Sequence, residues 1–253
     1  MRTSNLLHVQ RQQNGLLSAL RDNDWDLIAP HLEAREMGRG DAIFVQGDDV
    51  NVSVFPCART VVSMRVDDSD GVSCEVCAIG REGAVGGIIS HGHAPAFTSA
   101  VVEAPGLVLS IPTPRLETAK EASPSVTRLF ARYADCLLAQ IMQSAACNGL
   151  HGVEKRIARW LLTFQDRVGG DFIPVTQEGL AAALGVGRPY ASRQLKVMKQ
   201  QGLIALRRGA IEICDRGDLE RAACDCHRVV KEHFDTVISG LYPSHDDPET
   251  GAR

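Results

Sequence analysis

The sequence lacks any run of apolar residues long enough to cross a membrane. A helix that spans a bilayer needs about 20 consecutive apolar residues, and no stretch of this 253-residue chain approaches that length. The residues from Asn5 to Asn14 are too polar for the apolar core of a secretory signal. We therefore expect a cytoplasmic protein with no membrane partner.

The common catalytic patterns are also missing. The chain has no recognisable nucleophile–base pair, phosphate-binding loop, dinucleotide fingerprint or metal-ligand spacing. Its length suits one large or two modest domains, and its 44% of hydrophobic residues is enough to build proper cores. These observations argue against an enzyme.

Cysteine is absent before Cys57, which argues against an iron–sulfur cluster near the N-terminus. Without a secretory signal, free thiols are expected rather than disulfides. Cys74 and Cys77 lie in a predicted strand, where odd spacing directs side chains to opposite faces. Cys224 and Cys226 lie in a predicted helix, where residues two apart do not face each other. The His-Gly-His sequence at 91–93 lies in a polar loop, so we predict no metal site.

Acidic residues are absent from Gly179 to Ile211, although the whole chain has a net charge of −4. The same window holds six basic residues: Arg188, Arg193, Lys196, Lys199, Arg207 and Arg208. Residues 153–242 carry 14 Lys and Arg against 11 Asp and Glu, a net of +3, whereas residues 1–152 carry 12 against 17. Such local positive charge is typical of a surface that contacts phosphates.

The acid-free window also has the pattern of a helix-turn-helix. Predicted helices at 176–184 and about 188–201 flank Gly185, whose backbone freedom suits a tight turn. Thr176 is a good N-cap for the first helix. The second helix has an inward face that repeats at helical spacing: Ala191, Leu195 and Met198.

The rest of the chain divides into segments with different strand and helix patterns. Six short β-rich runs between about 30 and 115 indicate an antiparallel roll or barrel, and we predict a sensor or effector domain at 1–122. An amphipathic helix at 153–168 and a hairpin at 204–213, a basic "wing", flank the helix-turn-helix in a predicted DNA-binding domain at 151–242. Its final helical segment runs from Asp215 to about Tyr242, and a disordered tail is predicted at 243–253.

A long helix is predicted to begin at Ser123-Pro124, as part of a dimerisation helix and hinge at 123–150. Its stripe repeats every three or four residues: Val126, Leu129, Phe130, Tyr133, Leu137, Gln140, Ile141 and Ser144. We expect this stripe to pack against a second copy of the chain. The alternative is that it packs only on its own domain.

These features together resemble the Crp/Fnr-type transcription regulators over almost the whole chain. The resemblance implies an α+β fold: an antiparallel β-roll like those that bind cyclic nucleotides, a long central dimerisation helix and a C-terminal winged helix-turn-helix. It rests on the following segments: Val153-Glu-Lys-Arg-Ile-Ala-Arg-Trp-Leu-Leu, Val175-Thr-Gln-Glu, Leu184-Gly-Val-Gly-Arg, Ser192-Arg193 and Gly202-Leu-Ile. Gly80-Arg-Glu-Gly-Ala-Val-Gly86 resembles the glycine-rich turn of the roll in one subgroup.

The resemblance implies roles for individual residues. Arg188 and Arg193 match positions that reach guanine and phosphate in the major groove, where an arginine can bond O6 and N7 of guanine together. Pro189 stands where relatives with a TGTGA-like half-site place a glutamate, so the usual half-site is not expected. The other expected DNA contacts are Thr176, Gln177, Tyr190, Ser192, Lys196, Arg207 and Arg208. Tyr190 could instead pack on its own domain, and Lys196 could be merely solvated.

The resemblance also bears on the effector. Relatives that bind cyclic nucleotides use a glutamate for the ribose and an arginine for the phosphate, and Ala84 and Thr98 stand at those positions here. A buried phosphate would lack its compensating charge, so we predict no cAMP binding in that mode and no known cofactor. Three other modes of regulation stay open: binding of a different small molecule, oxidation of Cys136 or Cys147, and regulation by the abundance of the protein alone.

The sequence thus predicts a homodimeric transcription regulator whose partners are double-stranded DNA, a second copy and RNA polymerase. Its two recognition helices would read a palindrome with half-sites roughly 34 Å apart. The alternative is a redox- or small-molecule-sensing regulator that does not bind DNA until triggered, or a sensing module whose DNA-binding domain has decayed.

Overall fold

The computed structural model describes residues 9–69, 73–88 and 95–239. Seven strands of the N-terminal part form two antiparallel sheets, with orders β1-β7-β3 and β2-β6-β4-β5. The strands are β1 Glu33–Met37, β2 Ala42–Phe44, β3 Val52–Pro56, β4 Val61–Asp67, β5 Ser73–Ile79, β6 Ser99–Ala104 and β7 Gly106–Pro112. The predicted antiparallel roll is confirmed. Strand β1 was not predicted, because four of its five side chains are exposed and it has no apolar alternation.

The short helices α1 Gly15–Ser18 and α2 Asp22–Ile28 precede the roll and are followed by a 3₁₀ turn at Ala29–His31. The Asn14 carboxamide caps α1 by accepting from the Leu17 amide at 3.0 Å, and donates to the Pro56 and Gly83 carbonyls at 2.8 Å each. This fully buried side chain therefore fastens the N-terminal helices to the roll.

Helix α3, Thr113–Ala122, leads from the roll into the long helix α4, Pro124–Leu150. Ser123 caps α4 by accepting a hydrogen bond from the Val126 amide, as expected for a serine directly before a helical proline. In the described part of the chain no helix is both long and apolar enough to cross a membrane.

The stripe assigned to the dimer interface lies mostly inside the monomer. Five of its eight side chains are buried by the chain itself: Val126, Leu129, Phe130, Tyr133 and Gln140. The first four pack with Phe55, Leu109 and Ile111 of the roll, and Gln140 donates to the Ala78 carbonyl at 2.9 Å. Their assignment to a dimer contact is therefore wrong, and the alternative of packing on the own domain holds for them. Leu137 and Ser144 are half-buried, and Ile141 is at the exposed border.

The opposite side of α4 is exposed and has its own alternating spacing of four and three residues. It comprises Ala131, Asp135, Leu138, Met142 and Ala145. Leu138 and Met142 keep 50% and 60% of their surface accessible. Both sides of the helix follow the same period, so periodicity alone could not say which side the roll covers.

The C-terminal part, as described from residue 151 to 239, contains five helices and one small sheet. Its elements are α5 Val153–Val168, β8 Phe172–Ile173, α6 Gln177–Ala183, α7 Arg188–Gln200, β9 Ile204–Arg207, β10 Ala210–Ile213, α8 Arg216–Ala222 and α9 Cys226–Ser239. The sheet order is β8-β10-β9, and Gly209 makes the hairpin turn with a φ of 73°. The predicted helix-turn-helix and wing are confirmed.

The final helical segment predicted from Asp215 to about Tyr242 is found as two helices, and its last residues, 240–242, lie outside the described residues. The chain leaves helical geometry after Ala222, and α9 begins only at Cys226. Helix α9 then packs on α4, where Arg132 Nη1 donates to the Val237 carbonyl at 2.7 Å and Tyr133 meets Phe234 edge to face. The tail predicted at 243–253 and the histidines at 91 and 93 lie outside the described residues.

Candidate DNA-binding surface

The turn between α6 and α7 is built by local hydrogen bonds. The Thr176 hydroxyl caps α6 by accepting from the Gly179 amide at 2.9 Å. Gly185 follows α6 with a φ of 61°, a left-handed conformation that glycine adopts without steric cost. The Val186 amide then bonds the Ala181 carbonyl at 3.0 Å, and Pro189 sits in the first turn of α7, where proline costs no hydrogen bond.

One side of α7 is anchored in the domain core. Ala191, Leu195 and Met198 are buried, the last two in a cluster with Trp160 and Phe164 of α5. This anchoring sets the rotation of the helix about its axis. The outward side then presents a set of exposed residues: Arg188, Tyr190, Arg193, Lys196 and Lys199.

Tyr190 and Arg193 are neighbours on the outward side. The Arg193 guanidinium carbon lies 5.6 Å from the centre of the Tyr190 ring, which is within the range of a cation–π contact. Tyr190 keeps 37% of its surface exposed, and Arg193 is also exposed. Both side chains are free to reach a groove.

The side chains of Ser192 and Gln177 are less free to contact DNA, because they are bonded to each other. The Ser192 hydroxyl donates to Oε1 of Gln177 at 2.9 Å, and both residues are half-buried. The pair joins the first turn of α6 to the middle of α7. A DNA contact by either side chain would have to coexist with this bond or replace it.

Two of the predicted contact arginines are held by carboxylates that lie just outside the acid-free window. Nη1 of Arg188 is 3.6 Å from Glu178, and Nη2 of Arg207 is 2.6 Å from Glu212. All four side chains are at least one-third exposed, so each ion pair is weak in water. Sequence reasoning missed both pairs because it counted charges only within the window.

The C-terminal part contacts the roll of its own chain. Residues Val61, Ala78 and Ala104 of the roll share one hydrophobic cluster with the core around Trp160. The Trp160 indole donates to Oε1 of Glu75 at 2.9 Å. Removal of this carboxylate from water raises the pKa of Glu75 above its ordinary value. The helix-turn-helix is therefore braced by a contact that the sequence did not reveal.

The glycine-rich turn of the roll is covered by a side chain of α4. Tyr133 donates its hydroxyl to the Ala84 carbonyl at 2.9 Å, and a Cβ at Gly83 would lie 2.2 Å from that hydroxyl oxygen. Ala84 is fully buried and Thr98 is half-buried. The two positions that would face a cyclic nucleotide thus carry no charge, and the turn is in contact with Tyr133.

Three of the buried cysteines have a raised thiol pKa and are therefore unreactive. Burial raises the pKa of Cys57 and of Cys77 to about 12 and that of Cys136 to about 11. Thiolate is the reactive form of cysteine, so oxidation at Cys136 is disfavoured. Cys147 has a different setting, because three other potential ligand residues surround it.

Cys147 and the three residues around it form what we call the hinge cluster: Cys147, His151, Cys224 and Cys226. The expectation that Cys224 and Cys226 diverge is wrong, because Cys224 lies in the non-helical link before α9. Sequence reasoning missed the cluster, although Cys147 and His151 are four apart at the end of a predicted helix and so share a face.

Comparison with known proteins agrees with the architecture. Residues 155–222 match the Crp-like helix-turn-helix domain. FixK2 from Bradyrhizobium japonicum superposes with a TM-score of 0.65 at 17% identity, covering 76% of this chain and 98% of that one. A CRP-family transcriptional regulator from Thermus thermophilus gives a TM-score of 0.64 at 19% identity, covering 75% and 96%. No curated protein sequence matches the chain.

A third solved structure is CLP, described as a c-di-GMP responsive global regulator of Xanthomonas campestris. It gives a TM-score of 0.63 at 17% identity, covering 77% of this chain and all of that one. Identities this low establish the fold alone. The chain has the fold of these regulators, and its residues 155–222 match their Crp-like helix-turn-helix domain.

Proposed function

We propose that this chain, in which residues 155–222 form a Crp-like helix-turn-helix domain on the Crp/Fnr fold, is a homodimeric, sequence-specific transcription regulator. The observation that carries the proposal is the outward side of α7. Arg188, Arg193 and Lys196 project from a helix whose other side is fixed in the core. Anchored in this way, the helix can enter a major groove with its basic residues towards the DNA.

The wing supplies backbone contacts beside the recognition helix. Arg207 and Arg208 are exposed around the Gly209 turn, and Thr176 begins α6 on the same domain. Phosphate contacts of this kind fix the register of a protein on DNA, whereas base contacts specify the sequence. We assign base reading to Arg188, Tyr190 and Arg193 and positioning to the wing and to Lys196.

The exposed side of α4 is the proposed dimer interface. Leu138 and Met142 are solvent-exposed apolar side chains at coiled-coil spacing with Ala131, Asp135 and Ala145. Two parallel copies of α4 would bury this side and place two α7 helices about a two-fold axis. This arrangement implies a palindromic site.

The regulator is proposed to act without a cyclic nucleotide in the usual mode. Ala84 and Thr98 offer no charge to a ribose or a phosphate, and Tyr133 occupies the space next to Gly83. The second candidate function is a regulator that binds DNA only after another effector has bound. It is favoured by the contact of α5 with the roll through Trp160 and Glu75. RNA polymerase is the expected protein partner.

The direct test is selection of bound duplexes from a genomic DNA pool by the purified full-length chain, without effector and at near-physiological salt. Enrichment of one palindrome is the expected result. Arg193→Ala should weaken binding to that palindrome by about 1–3 kcal/mol and relax its specificity. Arg228→Ala, which removes an exposed arginine of α9, is the matched control. Equal effects of the two changes would refute the assignment.

A further inference from the structure

The hinge cluster joins two segments that are distant in sequence. Cys147 and His151 lie on the last turn of α4 and at its C-cap, and Cys224 and Cys226 lie at the link between α8 and α9. The potential ligand atoms of all four residues lie within 4.8 Å of one another. The three cysteines are buried and His151 is half-buried.

The spacing of these atoms fits one tetrahedral ion. Zinc bonds sulfur at about 2.3 Å and imidazole nitrogen at about 2.0–2.1 Å, so a tetrahedral site has S···S edges of about 3.8 Å and S···N edges of about 3.6 Å. Here Sγ of Cys147 lies 3.6 Å from Sγ of Cys224, and Sγ of Cys226 lies 3.6 Å from Nδ1 of His151. Both measured edges are close to the tetrahedral values.

The donor set selects the metal. Three cysteines and one histidine form one of the common structural zinc sets, and thiolates disfavour magnesium and calcium, which prefer oxygen. We propose that Cys147, His151, Cys224 and Cys226 bind one structural Zn²⁺ ion. Each cysteine gives up its thiol proton to the solvent when the ion binds, so affinity falls in acid.

The surroundings meet two further requirements of a metal site. A second-shell donor is present, because Nε2 of Gln143 lies 3.1 Å from Sγ of Cys226, and such bonds orient and stabilise a metal-bound thiolate. The second requirement is access from solvent. Cys226 lines a cavity of about 280 Å³ whose wall also includes the exposed Lys231 and Asp235.

A disulfide explains less of this arrangement. Bonding Cys147 to Cys224 would shorten their 3.6 Å separation to about 2.05 Å. It would leave Cys226, with its hydrogen bond from Gln143, and His151 without a role. The convergence of three thiols and an imidazole on one point is accounted for by a metal ion.

The consequence concerns the hinge between α4 and the DNA-binding part. His151 ends α4 and is followed by Gly152, the N-cap of α5. An ion shared with Cys224 and Cys226 would fasten this hinge to the start of α9, which itself packs along α4. Metal occupancy would thus fix the orientation of the helix-turn-helix relative to α4.

The test is the metal content of the untagged, full-length chain purified under reducing conditions. Mass spectrometry of metals should find one zinc ion per chain. Cys224→Ser should lose the ion, whereas Cys214→Ser, which changes an exposed thiol of the same domain, should keep it. Removal of zinc with a strong chelator should lower the Tm of the wild type and of Cys214→Ser but not that of Cys224→Ser.

A second measurement covers the case in which a variant fails to fold. Chelated wild-type chain is titrated with Co²⁺, and the visible bands of tetrahedral, thiolate-bound cobalt should saturate at one ion and vanish when Zn²⁺ is added. Absence of both zinc and the cobalt bands would overturn the proposal. So would equal zinc content in Cys224→Ser and Cys214→Ser, or a Cys147–Cys224 disulfide as the sole modification under the same reducing conditions.

Discussion

Nε of Arg167 lies 2.7 Å from Oε1 of Glu82, and the pair joins the end of α5 to the glycine-rich turn of the roll. The same guanidinium donates from Nη2 to Oε1 of Gln140 on α4 at 3.1 Å. Arg167 is buried. One side chain of α5 thus connects the glycine-rich turn of the roll to α4.

We predict that Arg167→Met destabilises the chain by about 3 kcal/mol, because removing one partner of a buried charge pair leaves the other uncompensated. Glu82 is partly exposed, which places the value at the lower end of the usual range. Urea unfolding measures the change. Arg228→Met, on the exposed surface of α9, should change the free energy of unfolding far less. Similar losses in the two variants would contradict the role of Arg167.

The Glu75–Trp160 contact predicts a pH dependence. Burial raises the pKa of Glu75 above its ordinary value of 4.5, so the folded state holds the carboxyl proton more tightly than the unfolded state. The protonated carboxyl of Glu75 therefore contributes fully to the free energy of unfolding below about pH 4.5. This contribution is lost as the pH rises through the pKa that Glu75 has in the folded state. Glu75→Gln, which cannot ionise, should gain stability relative to the wild type over that rise. Unfolding curves at a series of pH values check this, and a constant difference would contradict it.

The acidic partners of Arg188 and Arg207 predict a gain in DNA affinity. Under the proposed function, Glu178→Gln and Glu212→Gln release arginines that are otherwise paired at 3.6 and 2.6 Å. Exposed pairs are worth up to about 1 kcal/mol, so each change should tighten binding by roughly two- to fivefold. Fluorescence anisotropy with the selected duplex measures it. Glu220→Gln, which removes one of the two carboxylates paired with Arg216 on α8, should leave affinity unchanged.

The thiols should differ sharply in reactivity. Cys214 is exposed, whereas burial raises the pKa of Cys57 and Cys77 to about 12 and that of Cys136 to about 11. Alkylation follows thiolate fraction and access, so a brief iodoacetamide pulse on the native chain at pH 8 should label Cys214 well before these three. Peptide mass spectrometry gives the order. Rapid labelling of Cys136 would restore the oxidation hypothesis for that residue.

The helix-turn-helix could be predicted because its determinants are local. Thr176 caps its own helix, Gly185 makes its own turn, and the apolar residues of α7 repeat within one helix. The strands of the roll were found for the same reason, except β1, whose exposed side chains carry no alternation.

The errors arose wherever a residue's role depends on a distant segment. The helical spacing of the α4 stripe was correctly recognised, but most of the stripe packs within the monomer, which leaves Leu138 and Met142 exposed. Cys224 was placed in a helix because nothing nearby in sequence marks the break after Ala222. Its neighbour in space, Cys147, is 77 residues away.

The sequence by itself determined the class of elements, their order, the recognition helix and its positive charge, because propensity, capping and periodicity act within a few residues. Only the tertiary structure decided which side of α4 is free, which carboxylates hold the contact arginines, and that three thiols and an imidazole meet at the hinge. These depend on how the roll, α4 and α9 pack together. Burial and side-chain convergence are set by that packing, which no local pattern encodes.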